Sequence, residues 1–254
     1  MTLAHWAALV AVGFMAGFVN TLAGSGSLLT LPLLLWLGMP VHLANGTNRI
    51  SVLMQNVVAV YSFRRQGNLE LGRAFWPTLW AILGSFGGAE LAARMDARHL
   101  TFSLAVLMLL LVPFMLLNPR AWTTHAPRPW RWYHALLFFA IGVYGGFIQG
   151  GVGIFLLAGL VLGLGTDLVR ANGVKNWIVL WFTALSMWVF VAHGQVDWLV
   201  GVVLGLGSMP GAWVAARVAQ KHGARLVHRV VVGVVVLSAL DMLGLFRWLA
   251  SQLR

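Results

Sequence analysis

The chain has 254 residues, 60% of them hydrophobic and 9% charged, and a formal net charge of +11. Soluble domains average about 25% charged residues, so a water-soluble, disordered or coiled-coil protein is excluded and an all-α polytopic membrane protein is expected. The basic excess is read as loops held in the cytoplasm and not as a nucleic-acid surface, and zero Cys removes disulfides, thiolate metal sites and cysteine nucleophiles.

About 20 apolar residues span a bilayer core as a helix. The first segment, residues 3–37, is apolar but interrupted by Gly24-Ser25-Gly26-Ser27. No Lys or Arg precedes Leu3, so it is read as a retained segment and not as a secretory signal. Spanning helices are predicted over 44–64, 71–94 and 100–117. A polar linker, 118–131, with Pro119, Pro127 and Pro129, divides the chain. The second half opens on 132–164, interrupted by Gly150-Gly151-Val152-Gly153, and continues with predicted spans over 171–191, 198–219 and 226–250. The runs that follow the breaks, 27–37 and 154–164, cover roughly 16 Å each as helix, half the hydrocarbon core. Each interrupted region therefore reads as a hairpin or broken helix.

The halves resemble each other. At an offset of 129 positions Gly13, Gly17, Phe18 and Gly24 meet Gly142, Gly146, Phe147 and Gly153, and Asn20 meets Gln149. At 127, Gly38 meets Gly165, Ala44-Asn45-Gly46 meets Ala171-Asn172-Gly173, Gly67-Asn68 meets Gly194-Gln195, and Gly84 meets Gly211. The expected organisation is one integrated transmembrane domain made of two repeats, 1–117 and 132–254, joined by a cytoplasmic linker at 118–131. A hairpin plus three crossings is an odd number, which inverts the second repeat. That arrangement puts twelve of the 17 basic residues on one side, as the positive-inside rule prefers. Both termini are then outside the cytoplasm.

Non-helical backbone at membrane depth survives only where protein or a wet cavity surrounds it. Two half-helices that start at such breaks would aim free N–H groups at a shared midplane site, an arrangement suited to anions. Ser25, Gly26, Ser27, Gly151 and Gly153 are the expected donors, with Asn20 and Gln149 orienting the ligand; close helix packing of small residues is the alternative. Asn45-Gly46-Thr47-Asn48-Arg49 and Asn172-Gly173-Val174-Lys175-Asn176 place a cation one turn inside each following helix. Arg49 and Lys175 are expected to contact the anion or to snorkel to the interface. Asn45, Asn48 and Asn172 are counted with the site, Asn45 and Asn172 having helix capping as the other reading.

Of the six acidic residues, Glu90 and Asp241 fall inside predicted spans. They are read either as ion-pair partners of cations such as Arg94 or as proton carriers. No metal site, cofactor, nucleotide loop or catalytic cluster is recognised, so an enzyme is not expected. Gly87-Gly88 could pack helices within or between protomers, which leaves a homo-oligomer open.

Gly24-Ser25-Gly26-Ser27-Leu28-Leu29-Thr30-Leu31-Pro32-Leu33-Leu34, followed by Ala44-Asn45-Gly46-Thr47-Asn48-Arg49, resembles the first-repeat signature of the TauE/SafE sulfite-exporter family. Gly150-Gly151-Val152-Gly153 and Ala171-Asn172-Gly173-Val174-Lys175 are similar to its weaker second repeat. The resemblance covers nearly the whole chain, with Ser25 and Ser27 interrupting the usual Gly-rich run. It implies an inner-membrane secondary transporter for sulfite or small organosulfur anions, coupled to the proton gradient. A passive anion channel or uptake permease, and a non-transporting membrane scaffold, are the other readings.

Overall fold

The computed structural model describes residues 2–115 and 126–219. The expected helix over 226–250, Asp241 and most of the linker lie outside the described residues. Every regular element among the described residues is helical. In chain order they are α1 (Leu3–Ala23), α2 (Ser27–Trp36), α3 (Val41–Arg65), α4 (Leu71–Arg94), α5 (Ala97–Met115), α6 (Trp132–Phe147), α7 (Val152–Ala158), α8 (Leu168–Ala192) and α9 (Trp198–Ala219). A single π turn, Gly159–Gly163, extends α7. Helices α1, α8 and α9 are long and apolar enough to cross a membrane, and α3 and α4 match them in length at 25 and 24 residues.

Both interrupted regions fold back on themselves. Helix α1 stops at Gly24, whose φ of +76° is a left-handed cap and whose N–H donates to the Asn20 carbonyl at 2.7 Å. Helix α2 then returns along α1: the Trp36 ring stands edge-on to His5 with centroids 6.4 Å apart, and Leu9 and Leu34 share one apolar cluster. In the second region Gly151 is left-handed at φ +76°, and the π turn comes back to the start of α6. There Arg128 donates from Nη1 to the Leu162 carbonyl at 2.9 Å and from its amide to Leu164 at 3.0 Å.

Among the described residues the left-handed glycines fall into three pairs, each 127 positions apart: Gly24 and Gly151, Gly38 and Gly165, Gly67 and Gly194. Contacts between the halves are reciprocal at the same spacing. A Cβ on Gly46 would sit 2.0 Å from the Gln195 carbonyl oxygen, and a Cβ on Gly173 would sit 2.2 Å from that of Asn68. The same holds for helix pairs. Gly13 and Gly17 of α1 pack against the backbone of Leu204 and Ser208 on α9, while Gly142 and Gly146 of α6 pack against that of Ala81 and Ser85 on α4. Without side chains at these positions backbones approach closely, which is how helices associate where no water drives them together.

The ends of the bundle differ in composition. One carries Arg64 and Arg65, the Glu70 carboxylate paired with Arg170 and, at 3.4 Å, Arg73, and the Ala126 carbonyl lying against Gly165. The other joins the α4–α5 turn to the α8–α9 turn. There Gln195 donates to the Ala93 carbonyl at 2.9 Å and the Thr47 hydroxyl accepts from the Asp197 amide at 2.9 Å.

Candidate functional site

Helix α3 begins at Pro40, and its second turn drives inward because Gly46 lets it close on the α8–α9 turn. Asn45, Asn48 and Arg49 are consequently all fully buried. The Arg49 guanidinium donates from Nη2 to the Gly146 carbonyl at 2.5 Å and from Nη1 to Ser186 Oγ at 2.7 Å, with the Gly145 carbonyl at 3.5 Å. It lies over the Phe190 ring, 4.4 Å from the centroid. Asn45 Nδ2 donates to the Phe147 carbonyl at 2.9 Å. Gly145, Gly146 and Phe147 form the last turn of α6, whose carbonyls have no partner within the helix and form the negative end of its dipole.

Helix α8 repeats the arrangement with the halves exchanged. Lys175, 1% exposed, donates from Nζ to the carbonyls of Asn20 at 2.9 Å and Thr21 at 2.8 Å and to Asn172 Oδ1 at 2.9 Å. Those carbonyls belong to the last turn of α1. Asn176 Nδ2 adds bonds to the Asn172 and Thr21 carbonyls at 2.8 and 3.4 Å. Each cation thus sits on the electronegative end of the broken helix from the opposite half. Neither snorkels. Asn45 and Asn172 are not caps either: α3 starts from Pro40, and α8 from Asp167, whose carboxylate accepts from the amides of Val169 and Arg170 at 2.9 and 3.3 Å.

The two breaks touch. Gly153 N–H donates to the Gly24 carbonyl at 3.2 Å, and a Cβ on Gly24 would lie 2.1 Å from the Gly153 Cα. The Gly153 amide, an expected anion donor, is therefore engaged by protein. Ser27 Oγ accepts from Asn48 Nδ2 at 3.0 Å, and Asn48 Oδ1 accepts from Thr30 at 2.6 Å. Gln149 donates to Thr183 Oγ1 at 2.5 Å. Gly26 lies against the Ala16 carbonyl and Asn20 Cβ, and Gly151 sits at the head of α7. Asn20, Ser25, Gly26, Ser27, Asn45, Asn48, Arg49, Gln149, Gly151, Gly153, Asn172 and Lys175 are accordingly brought together in one buried centre. Glu90 is not part of it. It pairs with Arg94 at the end of α4, with His193 Nε2 at 4.0 Å. Sequence reasoning missed Thr21, Thr183 and Ser186, and quoted Asn176 in its motif without counting it with the site. The hydroxyls at 183 and 186, one turn apart on an apolar helix, were the available signal.

Several polar atoms of this centre lack partners. The hydroxyls of Ser25 and Thr21, Arg49 Nε and Asn172 Nδ2 are buried donors without acceptors, and Asn45 Oδ1 and Gln149 Oε1 are buried acceptors without donors. Among the described residues no backbone carbonyl accepts from the amides of Ser25, Gly26 or Ser27. No carboxylate of a described residue bonds to either cation. Two buried basic side chains with only neutral partners among the described residues thus lie beside unused donors.

The family model described as sulfite exporter TauE/SafE matches residues 9–242. A probable membrane transporter protein, ORF9, of a Sinorhizobium species is 28% identical over 93% of this chain and 91% of that protein. A probable membrane transporter protein of Haemophilus influenzae is 29% identical over 89% of each. The probable membrane transporter protein YfcA of Escherichia coli is 27% identical over 87% of this chain and 83% of that protein. No solved structure matches the chain.

Proposed function

The chain belongs to the TauE/SafE sulfite-exporter family of multi-pass membrane transporters, which are not enzymes, and from that premise we propose that it exports sulfite or a small organosulfonate across the inner membrane. The observation that carries this reading is the pair of buried cations without a counter-ion among the described residues. Taking a charge out of water costs several kcal/mol in a protein interior. Three charge-assisted hydrogen bonds at about 1.5–3 kcal/mol each offset that cost at Lys175, which has an acceptor for every proton. Arg49 keeps Nε unpartnered and has no carboxylate among the described residues, which leaves room for an anion to answer it. Arg49 is the proposed ligand, with Ser25, Asn172 and the start of α2 around the oxyanion; Lys175 is the proposed anchor.

The reciprocal contacts support two inverted repeats that rock against each other about this centre. The arginine-rich end is then cytoplasmic and both termini are outside. Coupling to the proton gradient is part of the proposal, with Glu90, beside Arg94 and His193, as the candidate carrier among the described acids.

The test is sulfite flux in proteoliposomes. Arg49→Ala is expected to reduce the initial rate by at least about tenfold, the loss of one charged hydrogen bond in the transport-limiting state. Undiminished, saturable flux in that variant overturns the assignment. Flux that never saturates and does not respond to a pH gradient identifies a passive channel instead.

A further inference from the structure

At the arginine-rich end of the bundle two clefts share a tryptophan wall. The smaller, about 160 Å³, is lined by Gly72, Arg73, Trp76, Arg128, Trp130 and Leu164. The larger, about 490 Å³, is lined by Trp76, Trp80, Trp130, Trp132, Ala135 and Leu136 and is almost wholly apolar. Trp76 and Trp130 are common to both and stack, with centroids 6.5 Å apart and planes 26° from parallel. We propose that these clefts together bind one anionic phospholipid, with its phosphate between Arg73 and Arg128 and an acyl chain along the tryptophan groove.

The charge is matched to a phosphate. Arg73 is half-exposed and approaches Glu70 only through Nε, at 3.4 Å. Arg128 is exposed and, among the described residues, its side chain makes one bond, from Nη1 to the Leu162 carbonyl. Their remaining N–H groups are free to fork onto phosphate oxygens, the geometry for which guanidinium is suited. The Glu70 carboxylate does not oppose this, because Arg170 and Arg73 both answer it. The groove explains why the phosphate belongs to a lipid. Its four tryptophans are the residue type that settles at the headgroup level of a bilayer. An apolar trough opening from a basic pocket fits a chain tethered to an anionic head. The bond from Arg128 to Leu162 and the Trp130 wall tie the clefts to the returning arm of the second hairpin, so an occupant there braces that hairpin. The reading stands on residues apart from the buried centre and does not depend on the transport assignment.

Native mass spectrometry of the full-length protein, equilibrated with equal amounts of phosphatidylglycerol and phosphatidylcholine, tests the site. The expected result is preferential retention of phosphatidylglycerol that free glycerol phosphate does not displace. Each arginine removed in Arg73→Gln and Arg128→Gln lowers that retention about fivefold, and phosphatidylcholine retention stays unchanged. Equal retention of the two lipids by the unaltered protein overturns the proposal without any variant. Displacement by glycerol phosphate shows a pocket for free phosphate and overturns it as well, as does full retention in the double variant.

Discussion

Arg49 and Lys175 differ in how completely their protons are matched. Lys175 has three, each on an oxygen within 2.9 Å. Arg49 has five donors in a rigid fork, and the fold leaves Nε idle. Lys175→Met leaves Asn172 Oδ1 without a donor and the Thr21 carbonyl with only the 3.4 Å contact from Asn176, and is expected to cost about 2–4 kcal/mol of stability, read as earlier unfolding in detergent, with Lys175→Arg recovering part of it. Arg49→Lys keeps a charge but not the fork and is expected to fold well while transporting poorly. The opposite pattern, a stable Lys175→Met and an unstable Arg49→Lys, would exchange their roles. The sequence disclosed the doubled Asn-Gly motif and the two cations. It did not disclose most of their partners, because these are backbone carbonyls at helix ends, which no side-chain pattern encodes. Nor did it show that the cations stand one register position apart: Asn48, and not Arg49, lies 127 residues before Lys175, so the two halves hold their charge differently.

The hairpins are the elements on which the centre depends, and their tips leave no space for a side chain. Gly24→Ala would place a methyl 2.1 Å from the Gly153 Cα in a left-handed conformation. Gly38 has a similar φ of +84° but nothing within 4 Å, so Gly38→Ala bears only the backbone penalty of about 1 kcal/mol. Folded yield and sulfite flux should therefore collapse for Gly24→Ala and change little for Gly38→Ala; equal losses would mean that the tips are not in contact. That two breaks exist was readable from Gly-Ser and Gly-Gly runs inside apolar stretches. Their register was not. Gly150, Gly151 and Gly153 offer three partners for Gly24, and the one matched by sequence, Gly153, is the residue it touches, whereas the one that shares its left-handed turn is Gly151. Residue identity does not report φ.

At the scale of the molecule, the charge count led to a hairpin plus three crossings in each half. The ion pairs of Glu70 with Arg73 and Arg170, and the cleft that Arg73 shares with Arg128, gather arginines at one end, which is consistent with the proposed sidedness. The chain has no Cys, so single substitutions test it cleanly. Arg65→Cys and Arg128→Cys should resist an impermeant thiol reagent in intact cells, and Asp96→Cys should react. Labelling of all three from one side would contradict the inverted arrangement. Helix positions were legible at this scale because apolar length fixes them, whereas the closing of the halves around shared glycines arises from three-dimensional packing and leaves only spaced Gly residues as its trace. The central claim is that the buried centre binds an anion through Arg49. Calorimetric titration of the purified protein with sulfite tests it most directly. The account predicts one saturable site whose affinity falls by at least about tenfold in Arg49→Gln, while Glu90→Gln binds as the unaltered protein does. Identical binding by the unaltered protein and Arg49→Gln would contradict it.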